Sequence, residues 1–148
     1  MSVTGEFPIV SWVGNRLESL HLIELQSIIP KSKTSRYCFH ANENSGLHVM
    51  IIALAPSASY PIHKHEDTDE WYFILSGQLV INIFDDGLNL QNATILGKAA
   101  SGSSVGTLGM LVQKKTWHDN HSGAEGCVFL EVRNGPFDKS KTSFASSR

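Results

Sequence analysis

Seven histidines stand among 148 residues, and four of them fall in two tight groups. The first group is His63-Lys64-His65, followed by Glu70; the second is His118 with His121. On an extended segment, residues two apart face the same way, so His63 and His65 aim both imidazoles at one point. Glu70 opens the next apolar segment, where its carboxylate closes on the same point. Neutral imidazoles and a carboxylate are ligands for Zn, Ni, Fe or Mn, so the expected cofactor is one divalent transition metal. A fourth ligand has to come from elsewhere in the chain. His118, in Lys114-Lys115-Thr116-Trp117-His118, is the best candidate because it lies just after a strand pattern. His121 follows in a stretch read as a loop and is expected to face solvent. Three imidazoles and one carboxylate leave positions open on a five- or six-coordinate ion, an arrangement for catalysis or ligand binding rather than a closed structural site.

Other side chains are candidates for the walls of that site. Strand alternation from Glu70 puts Tyr72 and Ile74 on its face as pocket residues and packs Trp71, Phe73 and Leu75 on the other. Tyr60, before Pro61, is expected to cap the mouth. Glu131 alternates with Phe129 and Arg133; it either enters the pocket as a base, pairs with Arg133, or faces solvent. Trp117 is either a pocket wall or core packing. His40, ending Tyr37-Cys38-Phe39-His40, is the candidate acid–base or substrate-orienting group, against a plain polar strand end. His48 reads as an ordinary exposed strand position and His21 as a structural or exposed helix residue. Glu66, Asp67 and Asp69 read as a solvated acidic loop.

The elements that must hold these residues are short and β-rich. Leu47–Ala55, Trp71–Leu75, Leu79–Phe84, Ala93–Leu96, Leu108–Val112 and Cys127–Val132 read as strands. Asn44-Ser45-Gly46, Ser76-Gly77, Asp85-Asp86-Gly87, Ser101-Gly102-Ser103 and Ser122-Gly123 read as the turns between them. Many short strands at this spacing predict an all-β sandwich or barrel. One helix is expected over residues 16–29, from the spacing of Leu17, Leu20, Ile23, Leu25 and Ile28, stopped by Pro30. Lys31–Arg36 reads as a linker. The division is an N-terminal segment with its helix at 1–35, the barrel at 36–138, and a polar tail at 139–148 that frays.

Composition narrows the functional classes. Hydrophobic residues are 41% of the chain and charged residues 18%, enough to build one core. A formal charge of −2 gives no basic face, so no nucleic-acid partner is expected. No apolar run reaches the ~18–20 residues of a spanning helix, so no membrane partner is expected either. Met1–Val10 lacks the form of a secretion signal. Cys38 and Cys127 read as small buried hydrophobes in a reducing, cytoplasmic setting.

The stretch His63-x-His65-(x4)-Glu70-(x6)-Gly77 resembles the first motif of the cupins. Ser57 stands where that family often has a glycine. In the second motif Gln113 and Lys115 replace the usual proline and glycine, and Ser122 replaces an asparagine. A closer resemblance is to the WbuC family of cupin-fold metalloproteins. It is carried by Phe39-His40, Pro61-x-His63-x-His65, Phe84-Asp85-Asp86-Gly87, Thr116-Trp117-His118 and Leu130-Glu131-Val132-x-x-Gly135-Pro136-Phe137-Asp138. The resemblance implies a cupin double-stranded β-helix, or jelly-roll barrel, with one metal, often encoded near surface-polysaccharide genes; a homodimer is the expected assembly. The functional expectation is a metal-dependent isomerase, epimerase or lyase acting on a small sugar or oxo-acid, with His40 as the base. The alternatives are an Fe(II) dioxygenase, a non-catalytic small-ligand binding or sensor module, and a β-domain whose metal only ties strands together.

Overall fold

The computed structural model describes residues 9–10, 16–28, 34–97 and 106–145. Among the described residues, nine strands and one helix run in the order β1 (Ile9–Val10), α1 (Ser19–Ile28), β2 (Thr34–Cys38), β3 (Leu47–Leu54), β4 (Ser59–His65), β5 (Glu70–Phe84), β6 (Leu90–Leu96), β7 (Gly109–Val112), β8 (Trp117–Asn134) and β9 (Thr142–Phe144). Two long strands organise the rest. The C-terminal half of β8 pairs with β3 on one side and with the first half of β5 on the other. Its N-terminal half pairs with β4 and with the second half of β5. β2 and β7 extend the first half-sheet, and β6 and β9 extend the second.

Ser76-Gly77 and Ser122-Gly123 are therefore not chain reversals, as the sequence suggested. Both lie inside β5 and β8, where register shifts between Ile74 and Ser76 and between Gly77 and Leu79 bend the paired strands around the barrel. Gly77 has φ +73, and a Cβ there would meet the carbonyl oxygen of Gly126 at 2.2 Å. The two backbones cross only because Gly77 has no side chain. The Asn44-Ser45-Gly46 and Asp85-Asp86-Gly87 turns do lie between strands, and Ser101–Gly102–Ser103 falls outside the described residues.

Inward-facing residues of both half-sheets form the main core: Met50, Ile52, Leu54, Tyr72, Leu79, Ile81, Leu96, Val112 and Phe129. Burying such side chains stabilises by about 1.5–3 kcal/mol each, and this closes the barrel. A second cluster lies outside, where α1 sits on β2 and β3: Leu25 is fully buried with Tyr37, Ile51, Ala53 and Val128. The Tyr37 hydroxyl donates to Glu24 Oε2 at 2.5 Å, and Ser35 Oγ donates to the Leu25 carbonyl at 3.3 Å. Of the helix's expected apolar stripe, Leu17, Leu20 and Ile23 are exposed.

The structure also differs from expectation at the linker and at the tail. Thr34–Arg36 is not linker but the start of β2, with Thr34 and Ser35 buried. Its polar residues hide the strand because their backbone pairing with β3, not their side-chain pattern, fixes it. Trp71, Phe73 and Leu75 lie on the opposite face of β5 from Glu70, as expected; that face is the outer one, each about two-fifths exposed, with Trp71 stacked on Phe73 at 5.7 Å. The polar tail contributes an element of its own. A 3-10 turn at Lys139–Lys141 leads into β9, which pairs with β4 as an edge strand.

Candidate metal centre

Four side chains from three strands meet inside the barrel. β4 supplies His63 and His65, β5 supplies Glu70 from its first position, and β8 supplies His118. Pairing of His63 with His118 across β4 and β8 sets two of the rings side by side. One potential ligand atom from each of the four lies within 4.8 Å of the others, and all four residues are buried. Glu70 Oε1 is 3.1 Å from His65 Nε2, and Glu70 Oε2 is 3.1 Å from His118 Nε2.

The outer nitrogens are already engaged. His63 Nδ1 donates to the Pro61 carbonyl at 2.9 Å and His118 Nδ1 donates to the Thr116 carbonyl at 3.0 Å. His65 Nδ1 lies 2.8 Å from Thr142 Oγ1. A carbonyl only accepts, so in His63 and His118 the proton is held on Nδ1 and the Nε2 lone pair turns inward. Nε2 lone pairs facing a carboxylate need a proton or a cation between them. A divalent ion satisfies all of them at once, so the residues present fit a metal.

Without a bound ion, the groups facing Glu70 are held together by protons instead. Burial pushes the His63 imidazole down to about 3, helped by the neighbouring His118, so it is a neutral ligand. Burial alone would raise Glu70, but the hydrogen bonds from His118 and His65 outweigh it and hold the carboxyl well below its usual range. Burial likewise opposes charging of His118, and the Glu70 carboxylate overrides it.

Loops around the cluster are tied down. Asp69 Oδ1 accepts from the Lys114 backbone at 2.8 Å, and the Lys115 backbone donates to the His65 carbonyl at 2.6 Å. Asp69 is thus a strut between the loops before Glu70 and before His118, not merely a solvated acid. Ser57 and Lys115, standing where cupins often have glycine, take the left-handed φ values of 56 and 66 that a glycine would favour. Ser122, in place of the family's asparagine, is buried, accepts from the Ala58 backbone at 3.0 Å and donates to the Ala55 carbonyl.

The remaining candidates are distributed unequally. Tyr60 sits edge-on to His63 with ring centres 4.8 Å apart, its phenol pushed up to about 12 by burial and by Glu131 and Glu70. Tyr72 is buried and donates to Glu70 Oε2 at 2.9 Å. Ile74 packs on the apolar core beyond it. Glu131 is buried and lies opposite Tyr72 in register; burial, then the Glu70 charge, raises its pKa to about 7. Trp117 instead carries the Lys64 ammonium 4.8 Å above its ring, on the alternate face from His118. His40 is not brought to the four: its ring stacks on His48 at 4.0 Å, and its Nδ1 lies 3.3 Å from the Val49 backbone. His48, expected on the surface, is buried, and its Nε2 lies 3.1 Å from the Glu43 carbonyl. His121 is half-buried and reaches Asp119 Oδ1 at 3.0 Å. Thr142 and Phe144 were missed: β9 brings Phe144 to stack on His63 at 5.8 Å. The only sequence signal for them was the alternation Thr142-Ser143-Phe144 in a polar tail.

Comparison with known proteins agrees with this architecture. A family described as "Domain of unknown function (DUF6016)" matches residues 30–96. No curated protein matches the chain in sequence. Among solved structures, oxalate decarboxylase from Bacillus subtilis at pH 4.6 superposes with a TM-score of 0.53 at 21% identity, covering 68% of this chain and 24% of that one. Oxalate oxidase in complex with the substrate analogue glycolate gives a TM-score of 0.51 at 16% identity, over 67% of this chain and 46% of that one. Another structure of the Bacillus subtilis decarboxylase, at TM-score 0.52 and 22% identity over 68% of this chain and 24% of that one, concerns its Mn(II) centres. The chain thus spans about a quarter of the decarboxylase and under half of the oxidase. Both neighbours are cupin β-barrels, and this chain has the cupin fold, with a buried His-His-Glu-His group compatible with a metal.

Proposed function

We propose that the chain is a cupin-fold metalloprotein that holds one divalent transition metal on His63, His65, Glu70 and His118 and processes a small oxygen-rich ligand, a sugar or an oxo-acid. The observation that carries this is the convergence of four buried ligand groups whose outer nitrogens are already bonded to Pro61, Thr116 and Thr142. The bound ion would supply Lewis-acid polarisation of ligand oxygens. The chain's own residues do the rest. Tyr60 and Tyr72 wall the cluster, Tyr72 orients Glu70, and Glu131 handles a proton. A buried carboxyl with a pKa near 7 can both take and return one at neutral pH. Isomerisation, epimerisation and lyase chemistry all need such a group beside the polarised carbon. His40, which faces His48, is the less suitable base. Resemblance to the WbuC family supports a place in surface-polysaccharide metabolism.

The second reading is a metal-dependent binding or sensor module. Raised pKa values also accompany plain burial, and a pure binder needs no proton-handling group. Hydrogen exchange separates the two. Metal-loaded protein is incubated in D2O with a panel of aldoses, ketoses and 2-oxo-acids, and deuterium uptake at carbon is followed by NMR. Uptake that needs the metal and is lost in Glu131→Gln supports the enzyme. Ligand-induced shifts without uptake support the binding module.

A further inference from the structure

The register rows across β3, β8 and β5 place cations beside the four ligands. One row reads His48–Arg133–Glu70, the next Met50–Glu131–Tyr72, and the next Ile52–Phe129–Ile74, with Arg36 of β2 opposite Ile52. Arg133 is buried, with 9% of its side chain exposed. Its Nη1 reaches Glu70 Oε1 at a long 3.5 Å, and its Nε is buried with no hydrogen-bond partner among the described residues. Phe137 covers the guanidinium at 4.6 Å.

The charges do not balance once an ion is bound. With Glu70 and Glu131 both counted as ionised, Arg133 and a divalent ion together exceed them by one positive charge beside the cluster. Buried charge without a partner is strongly unfavourable, so the missing partner is an anion. A second buried group lacks a hydrogen-bond partner among the described residues: Asn120 Oδ1, on the strand face that carries His118. The same Asn120 side chain is hydrogen-bonded to Tyr72, the residue that donates to Glu70. An unpaired acceptor asks for a hydroxyl donor.

We infer that the ligand of this site is a small hydroxy-carboxylate, its carboxylate held by Arg133 and its hydroxyl by Asn120. This rests on the metal reading above and narrows its sugar-or-oxo-acid class to acids. Arg133 presents donors in a planar fork that suits a carboxylate, and a neutral sugar would leave the surplus positive charge beside the cluster uncompensated.

Calorimetric titration of metal-loaded protein with lactate, propionate and propane-1,2-diol tests this without any variant, since the three share a carbon skeleton. Lactate is expected to bind, propionate about tenfold more weakly, and the diol about a hundredfold more weakly or not at all. Arg133→Leu is expected to lose lactate while metal content stays at the wild-type level. Asn120→Leu is expected to bring lactate and propionate level. The inference is overturned if the diol binds as tightly as lactate, if lactate gives no binding, or if Arg133→Leu with its metal binds lactate like wild type, which would assign the carboxylate to the metal alone. A wild type that takes up no metal contradicts the proposed function instead. The same series on the metal-free chain still has to show the order acid over diol, and its dependence on Arg133.

Discussion

His65 illustrates how a ligand is made by residues far from it in sequence. Its ring is aimed by Thr142, 77 residues away, through the 2.8 Å contact at Nδ1. Partners of this kind fix the ring's orientation and raise its basicity, and losing one weakens metal binding by about 10–100-fold. Thr142→Val is expected to do so while leaving the fold intact, as read by competition with a metallochromic chelator. Glu131 makes a pH prediction. Its folded pKa, about 7, lies above the ordinary carboxyl value of 4.5. The folded state therefore binds this proton more tightly than the unfolded state, and the group's contribution is fully present at low pH and lost as pH rises toward 7. In metal-free protein, Glu131→Gln is expected to raise stability by ~1–3 kcal/mol at pH 8 and to change it little at pH 4. Urea unfolding at the two pH values checks this, and a variant less stable than wild type at pH 8 would contradict it. The ligands themselves were legible in the sequence because His63, His65 and Glu70 lie close together and share a strand period. Arg133, Asn120, His48 and Thr142 were not, because only the pairing of distant strands brings them to the barrel interior.

Two left-handed residues show where the elements are held under strain. Ser57 and Lys115 sit at φ 56 and 66, in turns that flank β4 and β8. A residue with a Cβ is disfavoured there by about 1–2 kcal/mol relative to glycine. Lys115→Gly is expected to stabilise the chain by ~1 kcal/mol, less the added freedom of the unfolded glycine, with metal content unchanged. Gly77→Ala is expected to act oppositely, since its Cβ would meet the Gly126 carbonyl oxygen at 2.2 Å. Its cost is ~2 kcal/mol or more in thermal or urea unfolding. β3 and β7 were legible as short apolar runs bounded by turn residues, and β3 is buried on both faces, between the barrel core and α1. The bends within β5 and β8 were not, because a glycine inside a strand and a glycine in a turn look alike until the partner strand is known. β9 was hidden by its polarity: an edge strand with one neighbour shows little apolar pattern.

At the level of the whole molecule, the candidate centre joins β4, β5 and β8, the strands that knit the two half-sheets together. An ion bound there cross-links them and binds only the folded state. Its contribution follows from mass action, about 4 kcal/mol when free metal exceeds the dissociation constant a thousandfold. Removing it with a chelator is expected to lower the melting temperature by several degrees and adding one equivalent to restore it. The barrel class was legible because many short β-rich segments with no long helix between them leave few other architectures. The ligand class was not, because it depends on which strand faces Arg133 and Asn120 occupy and on the atoms left without partners there. The most direct test of the account is the metal content of untagged wild-type protein, measured by mass spectrometry beside a His63→Ala/His118→Ala double variant that remains folded by circular dichroism. The account requires about one divalent transition metal per wild-type chain and none in the variant. A wild type that takes up no transition metal, even after divalent ions are added to fresh protein, would contradict it.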